Sequence, residues 1–564
     1  MADGTPKNNS HWVRLTILAL IPVLIVAGGG TYLLTRHTAR DTRQADSEAA
    51  LRSYLADWTK ADYAGMAAHA DAAATTIRAV DAPIRHNLVV SVATFTPGVV
   101  TRDAKTGDVA TAPYTAELTL AGLGRWQYGG SLTLNKTKAP KGTKPSDIWR
   151  VHFTPAAIQP RLTTGTTLMR THVVATRGRL LDATGIAVRG QDGDLDSNLL
   201  GEVGPLSAAD AKAAGPQFTT GDLAGQTGIE RVYNPQLSGN PGGSVYLIRG
   251  LTRLASLIDF SATPGHDVKT TLDLRVQRAG EAALATTGLP AALVAIDTRT
   301  GGVTGIVNNP RGGFGRALRG KYPPGSTFKV ITATAALLAG KTEATPLDCP
   351  ATKVISGFSF KNANNEAFGL INLRTAFAQS CNTAFVNLRE SITEADMKRA
   401  ALLYGFDETQ PLPITSFGGS YPVPSGPVDV AASAFGQAAV LASPLQMATV
   451  AAAVASGSWG KPFVVGQSTV THPIPAATDA ALKDMMRAVI TEGTAAPNVV
   501  SFPGIVYGKT GTAEYTSKKN GPTHAWFIGF RDTVAFAVIV EGGGFGASVA
   551  APIGARFLEN LGPS

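Results

Sequence analysis

The sequence predicts a multidomain α+β protein that ends in an α/β sandwich built on an antiparallel sheet. Three observations predict it. The chain has 564 residues, which at roughly 150 residues per domain asks for three or four domains. Hydrophobic residues make up 44% and charged residues 16%, a balance that suits packed cores and opposes disorder. In the last segment, strand-like runs stand at both ends with helical runs between them, the order of a sheet covered by helices.

The elements follow in chain order. Residues 1–14 form a short tail, with Lys7 and Arg14 before the uncharged run from Leu15 to Thr35. That run is long enough to cross a bilayer core of ~30 Å. It reads as an uncleaved signal anchor rather than a cleaved signal peptide, because no clear small-x-small site ends it. A single-pass protein of the cell membrane with its body outside is expected.

Residues 44–158 form the first domain. Leu51, Tyr54, Leu55, Trp58, Tyr63 and Met66 recur at helical spacing. Leu88–Phe95, Ala112–Leu120, Trp126–Leu134 and Ile148–Phe153 then read as strands, with an exposed Pro/Gly/Lys-rich loop at 136–146. Residues 159–270 are rich in Gly, Asp and Thr, with short strands and a weak helix at 206–215. Residues 271–564 form the last domain. A strand at 269–274 leads to a helix at 276–287, and Ala291–Ile296 pairs with Gly302–Val307. Helices are expected at 326–339, 444–454, 478–489 and 552–561, and strands at 525–530 and 534–540.

Several function classes are excluded by pattern. Lys+Arg 50 against Asp+Glu 41 gives +9, spread without the basic blocks of a nucleic-acid arm. The nine histidines form no HExxH or Cys/His cluster, which argues against a zinc enzyme. No cofactor motif is present. Two cysteines, Cys349 and Cys381, cannot build a disulfide framework. An outside location permits one bond between them, and packing as small hydrophobes is the alternative.

Three short motifs carry chemistry. In Tyr322–Lys329 (YPPGSTFK), the Pro-Pro-Gly turn places Ser326 at the head of a helix. Lys329 lies one turn along the same face, where its amine can activate the hydroxyl. The first-turn N–H groups favour an oxyanion. Ser380–Cys381–Asn382 offers a proton relay at Ser380 and an amide at Asn382 that can hold a substrate carbonyl or orient Lys329. Lys509–Thr510–Gly511–Thr512 follows an extended stretch. There Gly511 admits a ligand backbone, Thr510 and Thr512 can bind a carboxylate, and Lys509 adds charge. Two close ammonium groups that also lose water favour a neutral Lys329 that can act as a base.

S-x-x-K, S-x-N and K-T-G in this order resemble the penicillin-recognising serine transpeptidase and β-lactamase superfamily. The chain looks like a class B, monofunctional penicillin-binding protein. The region 361–366, Thr375–Phe385, Gly436–Gln437, Ser443–Ala448 and Lys509–Glu514 extend the likeness over about 270–564. Upstream, Arg177–Gly178–Arg179 with Asp182, and Gly228, Ile229, Glu230 and Leu237, resemble the family's non-catalytic pedestal, a dimerisation-type domain. On the cues Trp149–Pro155, Ile158, Pro160 and Leu162, residues 44–158 resemble the NTF2-like N-terminal domain of the MecA-type subgroup. No glycosyltransferase domain fits between the anchor and residue 158.

The resemblance implies a D,D-transpeptidase that cross-links peptidoglycan stem peptides through Ser326 and is acylated by β-lactams. Ser326, Lys329, Ser380, Asn382 and Lys509 would be catalytic, and Thr510, Gly511 and Thr512 would bind substrate, with no metal or cofactor. Wall-synthesis membrane proteins are the expected partners. The alternatives are a D,D-carboxypeptidase, a β-lactamase-like hydrolase or sensor for which Glu366 would be the candidate base, and a non-enzymatic wall scaffold.

Overall fold

The computed structural model describes residues 46–139, 141, 147–188, 197–410, 412–468, 470–516 and 521–563. The tail at 1–14 and the anchor expected at 15–35 lie outside them, as does most of the loop at 136–146. Among the described residues no helix is long and apolar enough to cross a membrane. The chain divides into two compact units. The first holds residues up to 171 together with 243–260, and the second holds 172–242 and 261–564.

In the first unit, helices at 46–59, Tyr63–Ala68 and Ala74–Leu88 precede an antiparallel sheet. The main strand order is Val90–Pro97, Val109–Leu120, Gly124–Lys138, Asp147–Val151. Alternate residues of Val109–Leu120 are buried, the signature of a sheet with one face in the core. Trp58 stacks on Phe95 at 3.7 Å between ring centroids. Its indole N–H donates to buried Asp81 at 2.9 Å, which also accepts from Tyr63 and Arg85. The first strand starts at Val90 rather than Leu88. Leu88 still ends a helix, which Val89 stops in the left-handed region at φ 52°.

A second sheet of this unit orders Thr252–Phe260, Gly243–Arg249, Thr166–Arg170. The hairpin 243–260 lies inside the expected 159–270 segment, yet Val245 and Leu247 are buried in the same core as Trp58 and Tyr114. This long-range return of the chain has no local sequence signal.

In the second unit, Leu180–Leu181 pairs in parallel with Val268–Lys269. The Arg177 guanidinium bridges Glu230 at 2.6 Å and Asn234 at 2.7 Å, joining the two upstream stretches singled out in the sequence. A Cβ on Gly178 would lie 2.3 Å from the His266 carbonyl oxygen, so only glycine fits that approach.

The sheet of the last domain is antiparallel and five-stranded. Its order is Val303–Asn309, Ala291–Asp297, Val534–Val540, Thr523–Arg531, Tyr507–Glu514. The inner strands are buried on both faces, which explains their unbroken apolar runs. Helices Leu274–Leu284 and Ala550–Leu561 pack together against the sheet, and Pro444–Ser456 packs against its central strands. The strand expected at 269–274 is only Val268–Lys269. Asp273 accepts from Arg275 N–H and caps the next helix, which begins at Leu274, where the strand was expected to end. Tyr507–Glu514, with K-T-G inside it, is an edge strand with one side unpaired by the sheet.

Candidate active site

The site is built where three separate segments meet. Gly325 opens a 3-10 turn, Gly325–Phe328, and the α-helix Lys329–Leu338 follows without a break. The sequence alone suggested one continuous helix from Ser326; the tighter first turn brings Ser326 up to the edge strand. Gly325 has φ 55°, and a Cβ there would sit 2.7 Å from the Thr512 carbonyl oxygen. Its N–H donates to Gly436 O at 3.0 Å, and Trp526 Nε1 donates to Pro323 O at 3.1 Å. The serine turn is therefore tied to both the edge strand's neighbour and the Gly436 loop.

The second segment is the end of the helix Leu373–Ala378. Ser380 is held at φ 57°, a conformation that side chains seldom adopt. Asn362 holds the next residues. Its Oδ1 accepts from the N–H groups of Asn382 at 2.8 Å and Thr383 at 3.1 Å, and its amide donates to Pro350 O and Glu366 O. Cys349 and Cys381 form a disulfide that binds this turn to the strand Pro346–Cys349.

Lys329 is fully buried at the centre. Its Nζ lies 3.1 Å from Ser326 Oγ, 2.7 Å from Ser380 O, 3.3 Å from Ser380 Oγ and 2.7 Å from Asn382 Oδ1. A neutral amine has two protons. The carbonyl oxygens of Ser380 and Asn382 can only accept, so they take both, and the lone pair is left for a hydroxyl. Burial pushes the Lys329 ammonium well below its usual range, and the nearby Lys509 charge adds to this.

Lys509 is equally buried. Its Nζ donates to Ser380 Oγ at 2.9 Å and to Thr510 O at 3.1 Å. Loss of water lowers it to about 7. Ser380 Oγ thus stands between the two amines and links them. Phe385 and Phe435 face Lys329, and Phe377 faces Lys509, supplying the apolar walls. Thr510 is buried, Thr512 is half-buried, and Gly546 N–H donates to Thr512 Oγ1 at 3.2 Å. Gly511 packs on Thr327 and the Pro324 carbonyl.

The structure brings Ser326, Lys329, Ser380, Asn382, Lys509, Thr510, Gly511 and Thr512 into this one cluster. Glu366 is exposed and contributes its backbone carbonyl to Asn362. Tyr507 stacks on Phe530 away from the motifs. Tyr322 is buried and donates to Glu541 at 2.5 Å. His524, stacked on Tyr515 at 4.0 Å, is lowered by burial to about 4 and stays neutral. Sequence reasoning missed Asn362 as the hub of the second motif and missed Thr494 beside the third. Both act through partners far along the chain, so no spacing rule finds them.

This geometry is that of a serine acyl-transfer site, and the chain is similar to known proteins in sequence and fold. A family model described as the penicillin binding protein transpeptidase domain matches residues 291–559, and one described as the penicillin-binding protein dimerisation domain matches 189–270. The peptidoglycan D,D-transpeptidase PbpA of Mycolicibacterium smegmatis is 38% identical over 272 residues, covering 42% of this chain and 55% of that protein. PbpA of Mycobacterium tuberculosis H37Rv is 31% identical over 396 residues, covering 59% of this chain and 79% of that one. A chain from a solved peptidoglycan synthase complex superposes with a TM-score of 0.62 at 25% identity, covering 71% of this chain and 92% of that chain. The chain belongs to the class B penicillin-binding proteins, the peptidoglycan D,D-transpeptidase family in which a dimerisation domain precedes the transpeptidase domain.

Proposed function

We propose that this chain cross-links peptidoglycan stem peptides through an acyl-enzyme on Ser326. The observation that carries the proposal is the buried Lys329 amine, whose Nζ lies 2.7 Å from both Ser380 O and Asn382 Oδ1 and 3.1 Å from Ser326 Oγ. Ser326 Oγ attacks the carbonyl carbon of the penultimate D-Ala while its proton passes to Lys329 Nζ. The N–H groups of Ser326 and Thr512 face the oxyanion. The C–N bond breaks, and the leaving D-Ala amine takes a proton relayed through Ser380. An amine of a second stem then attacks the ester carbonyl, forms the new amide and returns the proton to Ser326.

Lys509, protonated, and the hydroxyls of Thr510 and Thr512 hold the terminal carboxylate. Asn382 orients Lys329, and its amide lies at the cleft edge. Gly511, expected from the sequence to admit a ligand backbone, instead gives room to the serine turn: a Cβ there would lie 2.9 Å from Thr327 Cγ2 and 3.1 Å from Pro324 O. A β-lactam carbonyl occupies the same place and acylates Ser326.

The helix-then-sheet order of the first unit supports its reading as the NTF2-like domain of a MecA-type protein, and Leu15–Thr35 supports a single-pass anchor with the site outside. The synthase complex named above supports wall-synthesis membrane proteins as partners. Release of labelled D-Ala with an added amine acceptor tests the reaction: a cross-linked product that grows with acceptor is expected, and hydrolysis alone would refute transpeptidation. Extraction of the full chain from membranes by high salt without detergent would refute the anchor.

A further inference from the structure

Thr494 lies outside the three motifs, fifteen positions before Lys509 in no recognisable pattern. Its Oγ1 is 2.6 Å from Thr510 Oγ1. At that distance one proton lies between the two oxygens, so the pair keeps one hydroxyl proton free to donate elsewhere. Thr510 is buried and Thr494 is half-buried.

The position of Thr494 is set by its backbone. Its N–H donates to Ala378 O at 3.1 Å, and a Cβ on Gly493 would lie 2.3 Å from the same oxygen. Gln379 Nε2 donates to Glu492 O at 2.9 Å. The loop after the helix Ala476–Thr491 is therefore locked onto the end of the Leu373–Ala378 helix, two residues before Ser380. A hydroxyl fixed in this way costs little to order when a ligand binds.

The neighbouring groups define the ligand. Lys509 Nζ, Ser380 Oγ, Thr510 Oγ1 and Thr512 Oγ1 leave donors, and Gly546 N–H already fills an acceptor site on Thr512. A cationic amine ringed by donating hydroxyls suits a carboxylate, which accepts up to four hydrogen bonds. We infer that Thr494 is a further specificity residue that, with Thr510, delivers one hydroxyl proton to the free C-terminal carboxylate of the donor peptide. This rests on the acyl-transfer reading above and deepens it.

The test compares two N-acyl-D-alanyl thioesters acting on the full chain in detergent micelles. One has a leaving group ending in a carboxylate, the other its primary amide. Acylation of Ser326 with release of the thiol is followed for the parent, Thr494→Val and Thr494→Ser, with thermal unfolding as a check on folding. Thr494→Val should lose about tenfold to a hundredfold on the carboxylate probe, the range for one hydrogen bond to a charged group. Its loss on the amide probe should be several-fold smaller, because an amide oxygen is an uncharged acceptor, and Thr494→Ser should keep the parent's preference. Equal losses on both probes, or no loss on either, would overturn the inference while leaving the acyl-transfer reading intact. Failure of the parent to form a Ser326 acyl-enzyme with either probe would overturn that reading and this inference with it.

Discussion

Lys329 and Lys509 share one polar chain through Ser380 Oγ, and the same burial acts on both in opposite functional senses. In the proposed reaction Lys329 must be neutral to take the serine proton, and Lys509 must be charged to attract a carboxylate. Acylation should therefore rise with pH as Lys329 deprotonates and fall as Lys509 loses its proton near pH 7. A bell-shaped profile of the second-order acylation constant is expected. In Lys509→Arg, whose guanidinium stays charged, the alkaline limb should move up by several pH units.

The same burial affects stability. The folded Lys509 titrates at about 7, against roughly 10.4 in the unfolded chain. Between these values the unfolded chain binds more protons, so stability should climb with pH through that window and be level below it. Denaturant titrations at pH 7 and pH 9.5 should show this rise in the parent and a smaller one in Lys509→Met.

At this scale Ser326, Lys329, Asn382 and Lys509 were singled out by three short motifs, and the structure gathers them into one cluster. Asn362 and Thr494 were not, because an asparagine and a threonine acquire these roles only through the partners that the fold brings to them.

The elements position these groups by closing short connections between otherwise separate segments. The turn at Gly325 rests on Thr512, while the Ser380 turn is held by Asn362 and the disulfide. Gln437 completes the frame. With its amide oriented to satisfy both groups, it donates to Glu514 O and accepts from Glu514 N, each at 3.2 Å. The free side of the edge strand is thereby closed at Glu514.

Replacing Cys349 and Cys381 by alanine opens a loop of sequence separation 32. It should cost about 3–4 kcal/mol in the chain-entropy model. It should also slow acylation, because Ser380 and Asn382 flank Cys381. Chemical unfolding and penicillin acylation of the double variant check both effects. The sequence left this bond open, since two cysteines 32 positions apart meet only if the strand Pro346–Cys349 folds back on the second motif.

The inner strands and the long helices of the catalytic domain were readable from their apolar runs and spacing. Their ends were not, because caps such as Asp273 and left-handed residues such as Val89 decide them atom by atom.

Across the whole molecule, two units with separate cores carry different amounts of sequence signal. The second holds the motifs, and its family and chemistry were evident from residues 326–329, 380–382 and 509–512. The first is legible only as helices followed by strands. Its hairpin 243–260 is contributed from beyond residue 172, a long-range exchange that composition and periodicity do not report. Part of the 159–270 segment thus serves the first unit's core.

The central claim is that Ser326 is the nucleophile, activated by a buried neutral Lys329. Mass analysis of the intact protein after exposure to a penicillin, followed by peptide mapping, tests it most directly. The parent should gain one penicilloyl group on the peptide containing Ser326, Ser326→Ala should gain none, and Lys329→Met should fall by at least a hundredfold in acylation rate. Acylation that persists in Ser326→Ala, or that maps to another residue, would contradict the account.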